Sequence, residues 1–457
     1  MSSQPKLAED SPSLSVNGTD PALDHTLSTG AKKTHMEVTM VEIPMLVSMD
    51  GEKTIDLSPL GIGIKNKVAV SQGFFHYIKD AKVYSVEITN LAGVLERAST
   101  TTPRGPVMKR FLGPGKPIEG VATVKCLSKS GKEEEIVALK AYGTHVTGVG
   151  GDGSLFVWSD SDYFEDDPHK VPKTTVTVVA KLGIRDDNKV KEAFPGGTFV
   201  VLYLGDDSFE TIKYCETDPD PSVKLGRLVL PRNRTVVSVT PGHDHCALVA
   251  RNMLFRGEET DGHVAPKVYD EEGNEIKTTG LSHFNIYVTG SNSFGQLGLG
   301  DTKNRPGWNQ VKTGSIKTMN ILASAANENC TFALSHTGEV AVSGHYLGDL
   351  TKKPVLVDFN AAFTDIACQS QTLIGCQRHE EGEDDVWLIS TDETGKVTKV
   401  EHNGDPISKL HSLVTGPTHF FLGVEVKVTQ DDKSKGNLKN GADYDSDSPP
   451  ATPYAAA

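Results

Sequence analysis

The chain has 457 residues, 44 of them glycine and 37% hydrophobic, enough for a large core but a mixture typical of many short strands joined by tight turns, not of long helices. Sixty acidic against 46 basic residues give a formal charge of -14, so the overall field repels nucleic acid unless a local basic surface overrides it, and proteins are the expected partners. No long apolar span or signal peptide is read, and Cys126, Cys215, Cys246, Cys330, Cys368 and Cys376 lack CxxC spacing, which argues against a membrane helix and a zinc site and fits a reducing nuclear or cytosolic setting.

Residues 1–37 are rich in Ser, Thr, Asp and Pro and are expected to be disordered, because they cannot bury enough surface to offset the entropy of ordering. Residues 429–457 read the same way, with Ser448-Pro449 and Thr452-Pro453 as possible sites for a proline-directed kinase. The span between, 38–428, begins with two strand-like stretches, VTMVEIPMLV and KTIDLSPLGIG. They belong to no repeat of their own.

From Val68 onward a pattern recurs: a hydrophobic strand ending in a small residue, often with a histidine, then a turn and a second strand. It restarts at Ile136, Val190, Thr235, Thr318, Phe363 and Ser408, which makes seven units. Two insertions interrupt the spacing: a Gly-, Pro- and Lys-rich stretch from Arg97 to Glu119, and a polar one from Gly257 to Gly280. Seven units of about four short strands predict an all-β, seven-bladed β-propeller, since radial stacking hides sheet edges. A solenoid is the alternative. The last unit lacks its later strands, and Val38 to Ile64 is expected to supply them.

Three local features carry chemistry. His76, His145, His245 and His419 recur at equivalent turns and are expected to hydrogen-bond between blades, with any that stay exposed contributing to a shared binding face. Asp160, Asp162, Tyr163, Phe164, Glu165, Asp166 and Asp167 crowd one segment, either a protruding hairpin anchored by its two aromatics or a solvated turn. Arg97, Arg104, Lys109, Arg110 and Lys116 form the best basic patch, either a chromatin contact or a solvated loop.

The segment Thr289 to Arg305 reads TGSNSFGQLGLGDTKNR. It has no following helix and no Lys-Ser/Thr pair, so it is not read as a phosphate loop. Its GSNSFGQLGLGD resembles the signature of the regulator of chromosome condensation repeat, and GDGSLFVW at Gly151 and HTGEVAVSG at His336 resemble the other half of that repeat. The resemblance is strong in one unit and eroded in the other six. It implies a propeller whose best-known relative is the chromatin-bound guanine nucleotide exchange factor for the small GTPase Ran, although other members are scaffolds or adaptors.

Carried over residue by residue, the resemblance implies a GTPase-binding face at His76, His145, Thr198, Asp244, His245, Asn329 and His419, and a protruding wedge at Asp160 to Asp167. It implies no cofactor and no metal. A Ran-like small GTPase and histones or nucleosomal DNA become the expected partners of a monomeric, chromatin-associated nuclear protein, with the cytoplasm as the other location; the alternative function is a non-catalytic scaffold or adaptor binding proteins through one face. Where the family's third repeat places an aspartate before its turn histidine, this chain has Thr198 and Phe199; a Gly-x-Asp-His occurs instead in the fourth unit as Gly242-His243-Asp244-His245. Where the fifth repeat places a histidine, the chain reads Asn327-Glu328-Asn329.

Overall fold

Strands with buried faces on both sides dominate the interior. Phe199–Leu204, Cys330–Ser335 and Thr372–Gln377 are buried along almost their whole length, whereas the peripheral strand Asp349–Val357 is largely exposed. A strand reads as a continuous apolar run only when a second layer covers each face. Radially packed sheets supply those layers.

The computed structural model describes residues 38–65, 67–101, 118–164, 173–181, 189–213, 227–230, 234–252, 268–269, 275–276, 284–317, 319, 321–401 and 406–429. Residues 1–37 and 430–457, the latter with the two Ser/Thr-Pro sites, lie outside them. Residues Thr39–Val428 form one compact unit, a seven-bladed β-propeller.

In chain order, the inner strands of the first six blades are Val68–Val70, Ile136–Tyr142, Val190–Pro195, Arg234–Pro241, Ile321–Ala326 and Asp365–Gln369. The seventh blade runs Lys409–Thr415, His419–Thr429, Val38–Ser48 and Thr54–Asp56 from inside to outside. The N-terminal strands thus complete the last blade, as expected. Met45 and Val47 pack there with Leu422 and Val424, all wholly buried. Seven apolar clusters fill the seven interfaces between neighbouring blades, so no single central core exists.

A repeated irregularity marks the units as equivalent. The inner strand shifts register one to three residues after its start in five blades, at Ile136/Ala138, Val190/Glu192, Val236/Ser238, Ile321/Ala323 and Leu410/Ser412. Such bulges sharpen the twist of a blade. The family-like segment occupies its expected place: strand Phe284–Gly290, a glycine-rich turn, then strand Arg305–Gln310.

Two features depart from expectation. Arg97 lies not in a loop but in the helix Leu91–Thr101, whose Leu91, Val94, Leu95 and Ala98 are buried. Arg104, Lys109, Arg110 and Lys116 fall outside the described residues. Among the described residues the second blade has three strands, and Thr175–Val179 pairs instead in parallel with Val121–Leu127 of the first blade. The polar insertion of the fourth blade is described only as a short hairpin, Val268–Tyr269 with Glu275–Ile276.

Candidate partner-binding rim

Because the strands of a blade alternate in direction, the turn joining its first and second strands opens at the same end as the turn joining its third and fourth. Hydrogen bonds join neighbouring first turns into a rim. Gln72 N–H donates to the Gly143 carbonyl at 2.8 Å, Gly197 N–H to His243 at 2.9 Å and His243 N–H to Asn327 at 3.3 Å. Thr418 Oγ1 donates to the Gln72 carbonyl at 3.3 Å, closing the seventh blade onto the first.

At the centre of this rim Asp244 reaches from the fourth blade to the third. It accepts hydrogen bonds from Thr198 Oγ1 at 2.8 Å and from His243 Nδ1 at 3.0 Å. The His243 bond, reinforced by Thr198, holds the carboxyl below the usual range, and the same bond raises His243. Thr198, where the resemblance expects an acid, therefore has a half-exposed, ionised carboxylate beside it. His243 stands within the same Gly-x-Asp-His run but is not among the contact residues that the resemblance implies.

The segment carrying Gly290 positions this turn. Ser291 N–H donates to the Asp244 carbonyl at 2.8 Å. Gly290 adopts φ +106°, and a Cβ there would lie 2.3 Å from that same oxygen. Only glycine tolerates both the backbone angle and the approach.

The turn histidines divide into two kinds. His76 and His245 are wholly buried, so neither belongs to an accessible face; burial lowers His76 to about 3 and His245 to about 4. His76 bonds Ser71 Oγ through Nε2 at 3.0 Å and Ser85 Oγ through Nδ1 at 2.8 Å. His245 Nε2 meets Thr331 Oγ1 of the next blade at 2.9 Å. His145 and His419 are partly buried at the rim, and burial lowers both. Asn329 is also partly buried, its N–H held by Asn327 Oδ1 at 3.0 Å. Beside it opens a cleft of about 390 Å³ between the fifth and sixth blades.

The expected wedge is corrected. Asp160 to Tyr163 form a single turn of 3₁₀ helix, and Tyr163 is wholly buried. Its hydroxyl pairs with Ser85 Oγ at 2.7 Å and accepts from Trp158 Nε1 at 3.0 Å, while its ring stacks on Phe74 with centroids 4.1 Å apart. Phe164 is partly buried, its centroid 6.0 Å from that of Phe74. Asp160 accepts from Ser71 Oγ at 2.5 Å and from Gly73 N–H at 2.8 Å. Burial raises it to about 6. Asp162 accepts from Ser159 N–H at 2.8 Å. Asp160 and Tyr163 tie the second blade to the first through a buried polar network, for which an aromatic ring with a polar tip is well suited; Asp162 stays exposed. Glu165, Asp166 and Asp167 lie outside the described residues.

No protein-family model matches the chain, and no curated protein matches it. Solved structures do. The yeast RCC1 protein Prp20, crystallised bound to Kap60, has 13% identity and a TM-score of 0.52, over 94% of this chain and 98% of that one. Prp20p from Saccharomyces cerevisiae, described with its binding properties to Gsp1p and histones, has 14% identity and a TM-score of 0.51, over 88% and 95%. Human WBSCR16 has 13% identity and a TM-score of 0.49, over 81% and 89%. The fold of this chain is that of the RCC1-type seven-bladed propellers.

Proposed function

We propose that the chain is a divergent guanine nucleotide exchange factor for a Ran-like small GTPase, acting in the nucleus in association with chromatin, in nucleocytoplasmic transport and mitosis. The observation that supports this reading is the carboxylate of Asp244 brought against Thr198: the acid that the resemblance expects in the third repeat is supplied by the fourth. Thr198, Asp244, Asn329, His145 and His419 are the proposed contact residues at this rim.

No covalent chemistry is needed. A partner that binds the nucleotide-free GTPase more tightly than the loaded one lowers nucleotide affinity by the same factor. An ionised, half-exposed carboxylate suits that task, since it holds a basic group that would otherwise neutralise nucleotide phosphate. Chromatin contact is assigned to Arg97, Arg104, Lys109, Arg110 and Lys116, with histones or nucleosomal DNA as the partner. Release of labelled nucleotide from Ran on mixing tests the exchange reading; binding without acceleration would leave a scaffold in its place.

A further inference from the structure

We propose that the cleft between the fifth and sixth blades docks a segment of a partner protein in which one arginine or lysine is flanked by large apolar side chains. The cleft walls carry Glu328, Asp392 and Glu393, and among the described residues no lysine or arginine lines it. Three partly exposed apolar side chains stand around these acids, where a partner's apolar groups can cover them. Phe294, Leu347 and Leu350 are 42%, 39% and 48% exposed.

Those side chains flank the cleft on two sides. Leu350 stands directly opposite His345 across a strand pair, and the Phe294 ring centroid lies 6.0 Å from that imidazole, which itself lines the cleft. Leu347 leans the other way, toward the sixth blade, where a Cβ on Gly395 would meet its side chain at 3.4 Å. Leu347 and Gly348 form a two-residue hairpin turn with φ of +50° and +84°. Asparagine, aspartate or glycine suits the first of these positions. A leucine there gives up backbone energy while 39% of its surface stays exposed, so the fold recovers only part of that cost.

Charge complementarity chooses the occupant. Three carboxylates with no cation lining the cleft among the described residues select a basic group, which a guanidinium fills best because its planar fork takes two oxygens at once. The flanks select apolar neighbours on either side of it. This inference rests on reading this end of the propeller as a partner-binding face, and not on exchange.

The test uses the full-length protein and a synthetic pentapeptide library, Gly-Φ-Arg-Φ-Gly with Φ as Leu, Phe or Trp, beside the same library with Gln in place of Arg. Members of the arginine library are expected to bind at least ten-fold tighter than their glutamine counterparts, and Glu328→Gln with Glu393→Gln to remove that difference. Leu347→Asn should weaken binding at least ten-fold while leaving Tm unchanged or higher. Glu339→Gln, in a turn at the opposite end, should change nothing. Absence of binding throughout the library, equal binding of the glutamine peptides, or unchanged binding by the double variant and Leu347→Asn would each overturn the proposal. No GTPase enters the assay, so its outcome is independent of any exchange measurement.

Discussion

Thr198 of the third blade donates its hydroxyl to Asp244 of the fourth at 2.8 Å. Two turns that are 46 residues apart in the chain thereby present one polar site. His243 adds a second bond to the same carboxylate, so the acid is oriented by donors from both blades.

The first prediction concerns that orientation. Gly290→Ala forces a Cβ against the Asp244 carbonyl and imposes a side chain at φ +106°. The expected cost is about 2 kcal/mol or more of stability, with exchange falling further than the loss of folded protein explains. Urea denaturation and nucleotide release on the same preparation separate the two effects.

The second concerns Tyr163. Because its hydroxyl joins Ser85 and Trp158, Tyr163→Phe leaves buried polar atoms without their partner and should cost about 1–3 kcal/mol. Partner affinity measured on the folded fraction should not change. A loss of affinity at unchanged Tm would restore the protruding-anchor reading.

The third follows from Asp160, whose folded-state value is raised to about 6 by burial. A raised carboxyl binds its proton more tightly in the folded state. Stability therefore falls as pH rises from the unfolded value, near 3.9 for an ordinary aspartate, through the folded value, and the penalty is complete above it. Asp160→Asn keeps an acceptor for Gly73 N–H, and its amide can donate to Ser71. It should gain about 1–2 kcal/mol at neutral pH and flatten this part of the stability profile between about pH 4 and 6. Urea unfolding across that range checks it; a variant less stable than the parent at pH 7.5 would contradict it.

The fourth concerns closure of the ring. Met45 is wholly buried between the seventh blade and its neighbour, so Met45→Ala should cost about 2–5 kcal/mol. Thermal unfolding reads it directly.

Repetition made the fold legible. GSNSFGQLGLGD, the recurring small-residue turns and the unassigned strands at Val38 to Ile64 all pointed to a seven-bladed ring with a noncovalent closure. The candidate site was only partly legible. Asp244 stood out by its motif, but its meeting with Thr198 depends on how adjacent blades pack, which no local pattern encodes. Tyr163 lay among acids and looked exposed; Ser85, Trp158 and Phe74 bury it, and they come from separate strands. The helix Leu91–Thr101 did carry a readable signal, since Leu91, Val94, Leu95 and Ala98 follow helical spacing. The neighbouring Gly, Pro and Lys content obscured it. The parallel pairing of Thr175–Val179 with the first blade has no counterpart in the sequence, because an alternating strand fits either edge.

The most direct test of the central claim is the rate of labelled nucleotide release from Ran in the presence of the wild-type chain, Thr198→Ala and Asp244→Ala. Acceleration by the wild type, with Asp244→Ala at least ten-fold slower at unchanged Tm and Thr198→Ala in between, is the predicted result. Equal acceleration by Asp244→Ala, or none by the wild type while it still binds Ran, would contradict it.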